Sequence, residues 1–370
     1  MHIRYLWVDS LCIIQSSNKD AQGGVDSDKS RKLRKIAGIY RGTVLTIAAS
    51  CASSSTEGFL QDRKPCKPAI ALPVRVGNMY DIAQLAPEPF IDEKRLALEP
   101  IDSRAWTFQE QFLSRRILSF TTHAMEWHCL CIDWCVSQEE EYDRYRSFDF
   151  LKGPRKRDRG SVVHDYSCRN LSELEDRPIA IAAVAECFAG SSQRLTASDY
   201  MAGLWRPGLP VSLLWSSLGD KCQDSCRLKG PSWSWTTTPR SINTENWQME
   251  KFKPTSTVFS TNIDLADPNL PFGPVKSGRI RIRGLISYRP VSPDDTPWPF
   301  FPHGVFTRVK FDRPPVLEVF LFELGSDGFY NYGLALEKTA SPGQFLRVGT
   351  YSGVAEEARI DKDEKMITII

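Results

Sequence analysis

The chain opens on its most constraining run. Tyr5-Leu6-Trp7-Val8 leads straight into Asp9-Ser10-Leu11-Cys12-Ile13-Ile14-Gln15. Four large apolar residues ahead of a polar turn read as a strand buried on both faces. A strand of that kind lies inside a sheet, between other strands. Only Met1 to Arg4 precede it here. Two arrangements are compatible with this: the sheet begins at Tyr5, or an opening strand belongs upstream of it.

The next segment follows a β-turn-α-β pattern. Asp26, Ser27 and Asp28 offer side-chain oxygens to cap a helix. Leu33, Ile36, Ala37 and Tyr40 recur at i, i+3, i+4 and i+7, which makes one apolar helical face. Thr43 to Ala49 is rich in β-branched residues and predicts a strand. Together these predict a βαβ unit and therefore a parallel strand pair with a right-handed crossover. Ala69 to Val76 predicts another strand, and Ile101 to Leu113 a short helix. Asp102 or Ser103 is placed to cap that helix, with Ala105, Phe108, Phe112 and Leu113 on its apolar face. Arg116 to Phe120 and Ala124 to Cys131 read as two strands joined by a turn. Two helical stretches follow, over Pro178 to Phe188 and near Tyr200 to Trp215. After Pro231 the texture changes to short apolar runs between Pro, Gly and Asn: Ser232 to Trp235, Arg279 to Gly284, Leu317 to Leu324, Tyr332 to Leu336, Phe345 to Thr350 and Met366 to Ile370. The fold class is therefore α/β. A partial parallel-sheet core occupies 1–136, a polar linker 137–160, a helical extension 161–230 and a β-rich region 231–370.

Bulk composition narrows the partners. The chain has 370 residues, with 41% apolar and 25% charged, as in ordinary globular proteins. The net charge of +2 gives no global field for nucleic acid or an anionic membrane, so a nucleic-acid partner is not expected. The basic runs at Lys29 to Lys35 and Lys152 to Arg159 read as solvated surface. No charged and apolar leader is present, and no run approaches the ~18 apolar residues of a membrane span. Cys12, Cys51 and Cys187 lie among apolar neighbours, as reduced thiols do, which points to the cytosol.

Two clusters carry possible chemistry. Asp9 lies at the carboxyl end of the opening strand, the end that faces the ligand crevice in parallel α/β sheets. Ser10, Cys12 and Gln15 stand beside it. Arg104, Trp106, Gln109 and Glu110 form the second cluster, with Trp106 and Glu110 on one helix face at i, i+4. The competing reading of each cluster is structural: turn hydrogen bonds at Asp9 and Ser10, and a buried Arg–Glu pair in the helix. The run His128-Cys129-Leu130-Cys131-Ile132-Asp133-Trp134-Cys135 has zinc-type ligands at poor spacing, because a strand turns His128 away from Cys129 and Cys131. No phosphate-binding glycine loop, HExxH, GxSxG or EF-hand pattern occurs, so no metal and no resident cofactor are expected.

Taken together, these residues resemble the fungal heterokaryon-incompatibility (HET) domain. Residues 5 to 15 are similar to its first hallmark almost throughout, with Val8 in place of Ile. Ile39-Tyr40 and Leu45 to Ala49 resemble the block that follows. Arg104 to Glu110 and Leu113-Ser114 with Arg116 resemble the second hallmark, and Glu126 to Cys129 the closing element. The likeness extends to Asp165-Tyr166-Ser167 with Arg169 and Leu171, Gly203-Leu204-Trp205, Leu213-Leu214-Trp215, Pro231 to Trp235, and Phe345 to Gly349.

The resemblance implies a cytosolic protein of fungal non-self recognition and programmed cell death that acts by self-association or with a protein partner. It also implies a TIR-like core. Some TIR domains cleave NAD, with a carboxylate stabilising an oxocarbenium-like ribosyl centre as nicotinamide leaves. On that alternative the catalytic carboxylates are Glu110 and Asp9, and Ser10, Cys12, Gln15, Arg104, Trp106 and Gln109 line the site. Two departures point to a third alternative, a degenerate and non-toxic relative. Lys29 and Lys32 stand where the family carries Trp and Glu, and the family's opening strand has no counterpart.

Overall fold

The computed structural model of the chain describes residues 3–13, 35–61, 70–76, 79–85, 98–122, 125–129, 158–191, 195–218, 228–290, 307–312, 318–354 and 363–370. The opening run is not a strand. Residues 3–8 belong to no β-ladder among the described residues, and a single helical turn, α1 (Asp9–Cys12), follows them. Tyr5 and Leu6 face outward and are 90% and 81% exposed, whereas Trp7 packs against the main core. A strand needs a ladder to satisfy its N–H and C=O groups, and apolar content alone supplies none.

Helix α2 (Ile36–Gly42) buries Ile36, Ala37 and Tyr40, three of the four positions on the expected apolar face. Leu33 and the capping candidates Asp26, Ser27 and Asp28 lie outside the described residues, as do Lys29 and Lys32. Strand β1 (Thr46–Ala48) follows. A parallel pair does form, but not with the opening run: β1 pairs in parallel with β4 (Arg116–Phe120), which pairs antiparallel with β5 (Met125–Cys129). A separate hairpin joins β2 (Ile70–Val76) to β3 (Met79–Leu85). This is a mixed α/β arrangement with one small parallel-containing sheet.

Between them lies α3 (Ala105–Leu113), entered through a 3-10 turn at Pro100–Ser103. It buries Ala105, Phe108, Phe112 and Leu113, as its periodicity requires. Its cap differs from expectation. Arg104 holds the N-cap position without a side-chain bond. The first helical amide, from Ala105, donates instead to the carbonyl of Asn170 at 2.9 Å. Asp102 is used elsewhere, against Arg169.

Helix α4 (Arg159–Ser167) is capped by Asp158, which accepts from the Ser161 amide at 2.9 Å. Its Tyr166 lies edge-on to Phe108 of α3 and to Trp235, with ring centroids at 5.7 and 6.1 Å. Helix α5 (Ile179–Ser191) runs through Gly190 and packs against α3, with Phe188 near Phe112. The stretch from Tyr200 to Trp215 is not an α-helix. It is two-residue strands and 3-10 turns, because Gly203, Pro207, Gly208 and Pro210 interrupt any helical ladder. Residues Ser232 to Trp235 are likewise not a strand but lead into a 3-10 turn. Their indoles fill the centre: Trp215, Trp233 and Trp235 are fully buried. Trp215 Nε1 donates to the Trp233 carbonyl at 2.9 Å and Trp235 Nε1 to the Gly203 carbonyl at 2.8 Å. Gly203 has φ +94°, and a Cβ there would stand 2.6 Å from the Trp235 indole nitrogen, so only glycine fits.

The C-terminal third is a barrel. Its strands are β6 (Thr257–Leu265), β7 (Val275–Pro290), β8 (Thr307–Phe311), β9 (Glu318–Ser326), β10 (Tyr330–Lys338), β11 (Gln344–Val354) and β12 (Asp363–Ile369). β7 is long enough to serve both sides. Residues 280–286 pair with β12, and 286–290 pair with β9. The order β7-β9-β10-β11-β12 then returns to β7, closing a ring of five strands. β6 extends β7, and β8 lies on β11. Alternation sorts the side chains. Ile280, Ile282, Phe322, Leu334, Leu336, Ile367 and Ile369 join the main core, whereas Val319, Leu321, Ala335 and Val348 turn outward under Val309 of β8.

Arg347 locks the barrel to the tryptophan centre. Its guanidinium pairs with Asp312, donates to the Trp215 carbonyl and stacks 3.5 Å above the Trp215 ring. Asp312 also accepts from the Ser217 amide at 3.0 Å. Arg347→Met leaves that carboxylate buried without its cation, and the expected loss is about 3–5 kcal/mol in urea unfolding. Adding Asp312→Leu recovers part of the loss, because no buried charge is then left unpaired.

Candidate functional site

The two sequence clusters meet. α1 presents Asp9, α2 presents Tyr40, and α3 presents Glu110, with Arg104 just before it. The Tyr40 hydroxyl hydrogen-bonds to the Glu110 carboxylate. Burial pushes the Glu110 carboxyl up to about 7, and the negative charge of Asp9 adds to the rise. The Tyr40 hydrogen bond and the Arg104 cation oppose it. Burial raises the Tyr40 phenol well above its ordinary range, and Glu110 raises it further. A half-buried acid that titrates near neutrality, beside a second carboxylate, a phenol and a guanidinium, is equipped to take or give a proton at physiological pH.

The other expected members are less engaged. Ser10 is exposed, and its amide donates to Asp9 Oδ1 at 2.6 Å. Cys12 is a half-buried free thiol. Gln15 lies outside the described residues. Trp106 packs against the core, and Gln109 is buried. His128 and Cys129 sit on β5, where His128 lies 3.4 Å from Glu126; Cys131, Asp133 and Cys135 lie outside the described residues. Among the described residues, no group of three or more His, Cys, Asp or Glu converges as a metal site would require.

Sequence reasoning missed Tyr40 as a site residue. It closes the apolar face of α2, so periodicity assigns it to the core, and its ring is indeed buried. Only its hydroxyl reaches the carboxylate. It also missed what holds α3 in place. The side chain of Arg169, 3% exposed, lies 3.6 Å from Asp102. It donates to Thr107 Oγ1 at 3.2 Å, Gln111 Oε1 at 3.3 Å and the Arg104 carbonyl at 3.4 Å. It also covers the Phe108 ring at 5.1 Å. Gln111 in turn donates to Asp102 at 3.1 Å. Asn170, next in the chain, bridges Arg104 and accepts from Ala105.

Residues 1–110 match the family model of the Heterokaryon incompatibility protein (HET), a span that takes in both clusters and Tyr40. Over that span, under a third of the chain, the sequence is similar to a HET domain. No curated protein and no solved structure matches it. The anchoring residues Gln111, Arg169 and Asn170 all lie beyond the matched span, so the second hallmark of the HET segment is fixed by chain outside it.

Glu110 makes stability depend on pH in a defined direction. Its carboxyl is pushed up to about 7 in the folded chain, from an ordinary value of 4.5. The folded state therefore binds the extra proton, and stability is greatest below pH 4.5 and lost as pH rises through 7. The size is on the order of 3 kcal/mol. Urea midpoints of the native chain should fall across that window, and Glu110→Gln should flatten the fall.

Proposed function

We propose that the chain acts in fungal heterokaryon incompatibility, as a cytosolic non-self-recognition protein whose engagement leads to cell death through protein association. The HET match over residues 1–110 carries this proposal. The same segment displays large apolar side chains to solvent, among them Tyr5, Leu6, Leu11 and Ile47. Among the described residues, no helix is long and apolar enough to cross a membrane. Induced expression in a filamentous fungal host tests the proposal. Growth arrest is expected. Normal growth with the protein accumulating to high level would falsify it and favour a non-toxic relative.

The environment of Glu110 favours a second reading, cleavage of NAD by a TIR-like core. A carboxyl poised near neutrality beside the Asp9 charge suits stabilisation of a cationic ribosyl centre. Purified protein is then expected to release nicotinamide from NAD, and Glu110→Gln to slow the release by about a hundredfold or more. Activity that survives both Glu110→Gln and Asp9→Asn removes these carboxylates from the reaction. Absence of any release leaves protein association alone.

A further inference from the structure

The outer face of β7 carries a charge pattern that nothing above uses. Arg279, Arg281 and Arg283 alternate with Ile280 and Ile282. The isoleucines are fully buried in the barrel, so the three guanidinium groups project outward from a rigid strand, and all three residues are exposed. At ~3.4 Å per residue they stand about 7 Å apart, in a ladder about 14 Å long. Among the described residues, no carboxylate forms an ion pair with any of them. Neighbouring strands line the ladder with uncharged groups. Asn262, Ser260 and Thr257 of β6 stand opposite Arg279, Arg281 and Arg283, and Thr368 and Met366 of β12 stand opposite Arg281 and Arg283. A bulge between Val258 and Ser260 leaves Phe259 without a partner on β7. It is exposed, with the Arg283 guanidinium 5.0 Å from its ring centre.

Acidic groups bracket the ladder. Asp264 stands opposite Ser277, beyond Arg279, and Glu364 stands opposite Leu285, beyond Arg283. The face therefore reads minus, three plus, minus. A continuous polyanion such as single-stranded nucleic acid would have to run past a carboxylate at either end, and it needs an extended basic track. A second copy using the same face would set arginine against arginine. An extended protein segment with carboxylates at every second residue matches the ladder in sign, in spacing and in length, because its own side chains repeat at the same ~7 Å.

We propose that the outer face of β7 docks an acidic, extended segment of a protein partner, with Arg279, Arg281 and Arg283 each facing one carboxylate and Phe259 packing beside them. This rests on the protein-association reading and gives that partner a chemistry.

Fluorescence anisotropy with the full chain at low ionic strength tests it. The probe is a labelled peptide with glutamate at alternate positions separated by threonine. Saturable binding is expected, weakened about threefold by Arg281→Ser and further by serine at all three positions, and reduced by added salt. The single variant lies on an exposed face, so it reports even where the triple variant fails to fold. Absence of saturable binding overturns the proposal, as does binding that Arg281→Ser leaves unchanged. Equal binding of a peptide with the same number of glutamates at every third position, which alternate between the two faces of a strand, overturns it too, since charge without the matching spacing then suffices. Tighter binding of a ten-residue thymidine oligonucleotide than of the peptide replaces the protein partner with nucleic acid. None of these outcomes depends on growth arrest, so failure here is separable from failure of the incompatibility proposal.

Discussion

The helix that carries Glu110 cannot finish its own N-terminus. An α-helix leaves its first amides without intrahelical partners, and a capping side chain usually satisfies one of them. Arg104 supplies no such group. The carbonyl of Asn170 does so instead, 65 residues further along the chain than Ala105. Arg169 then fills the polar crevice beside it. Its buried charge is tolerable because Asp102 and three oxygen acceptors surround it, as a desolvated guanidinium demands. From this one attachment the rest follows. Phe108 meets Tyr166, Tyr166 meets Trp235, and Trp235 reaches the Gly203 carbonyl. Helices and tryptophan centre therefore share one continuous core, which also takes in the barrel interior.

The site is assembled on that frame from three separate pieces of helix. None of them supplies the whole cluster. Asp9 lies on an exposed single turn, Tyr40 on the buried face of α2, and Glu110 on α3. The proton affinity of Glu110 reflects all three: burial raises it, Asp9 raises it further and Tyr40 pulls it down. Small shifts of α3 against α2 would move the proton affinity of the carboxyl before they altered the fold.

How much of this was legible beforehand divides along physical lines. Elements whose burial follows a regular period were readable. Arg116 to Phe120, α3, α5 and most of the barrel strands lie where alternation or 3.6-residue spacing places them. The two hallmark clusters, far apart in sequence, are brought together around Asp9 and Glu110. Where sequence reasoning failed, partners decided. Tyr5 to Val8 is apolar enough for a central strand but joins no ladder among the described residues, and Tyr5 faces outward. The Tyr200 to Trp215 stretch is buried throughout much of its length, and apolar content was mistaken for helical period where Gly and Pro forbid it. The role of Tyr40 depends on one oxygen of an otherwise core residue, and no periodicity records which way a hydroxyl points.

The closed ring of the barrel has a consequence for the order in which the chain acquires structure. β12 is the strand that completes it, lying between β7 and β11. The Ile370 carbonyl accepts from the amide of Ser232, at 3.0 Å and across 138 residues. During synthesis, β7 therefore emerges long before the strand that will cover Ile280 and Ile282. Until then its backbone is an open edge with a hydrophobic face, the condition under which nascent chains pair with the wrong neighbour. Non-local closure of this kind is slow. In the cell, the interval between the emergence of β7 and β12 from the ribosome is when this chain most needs a chaperone.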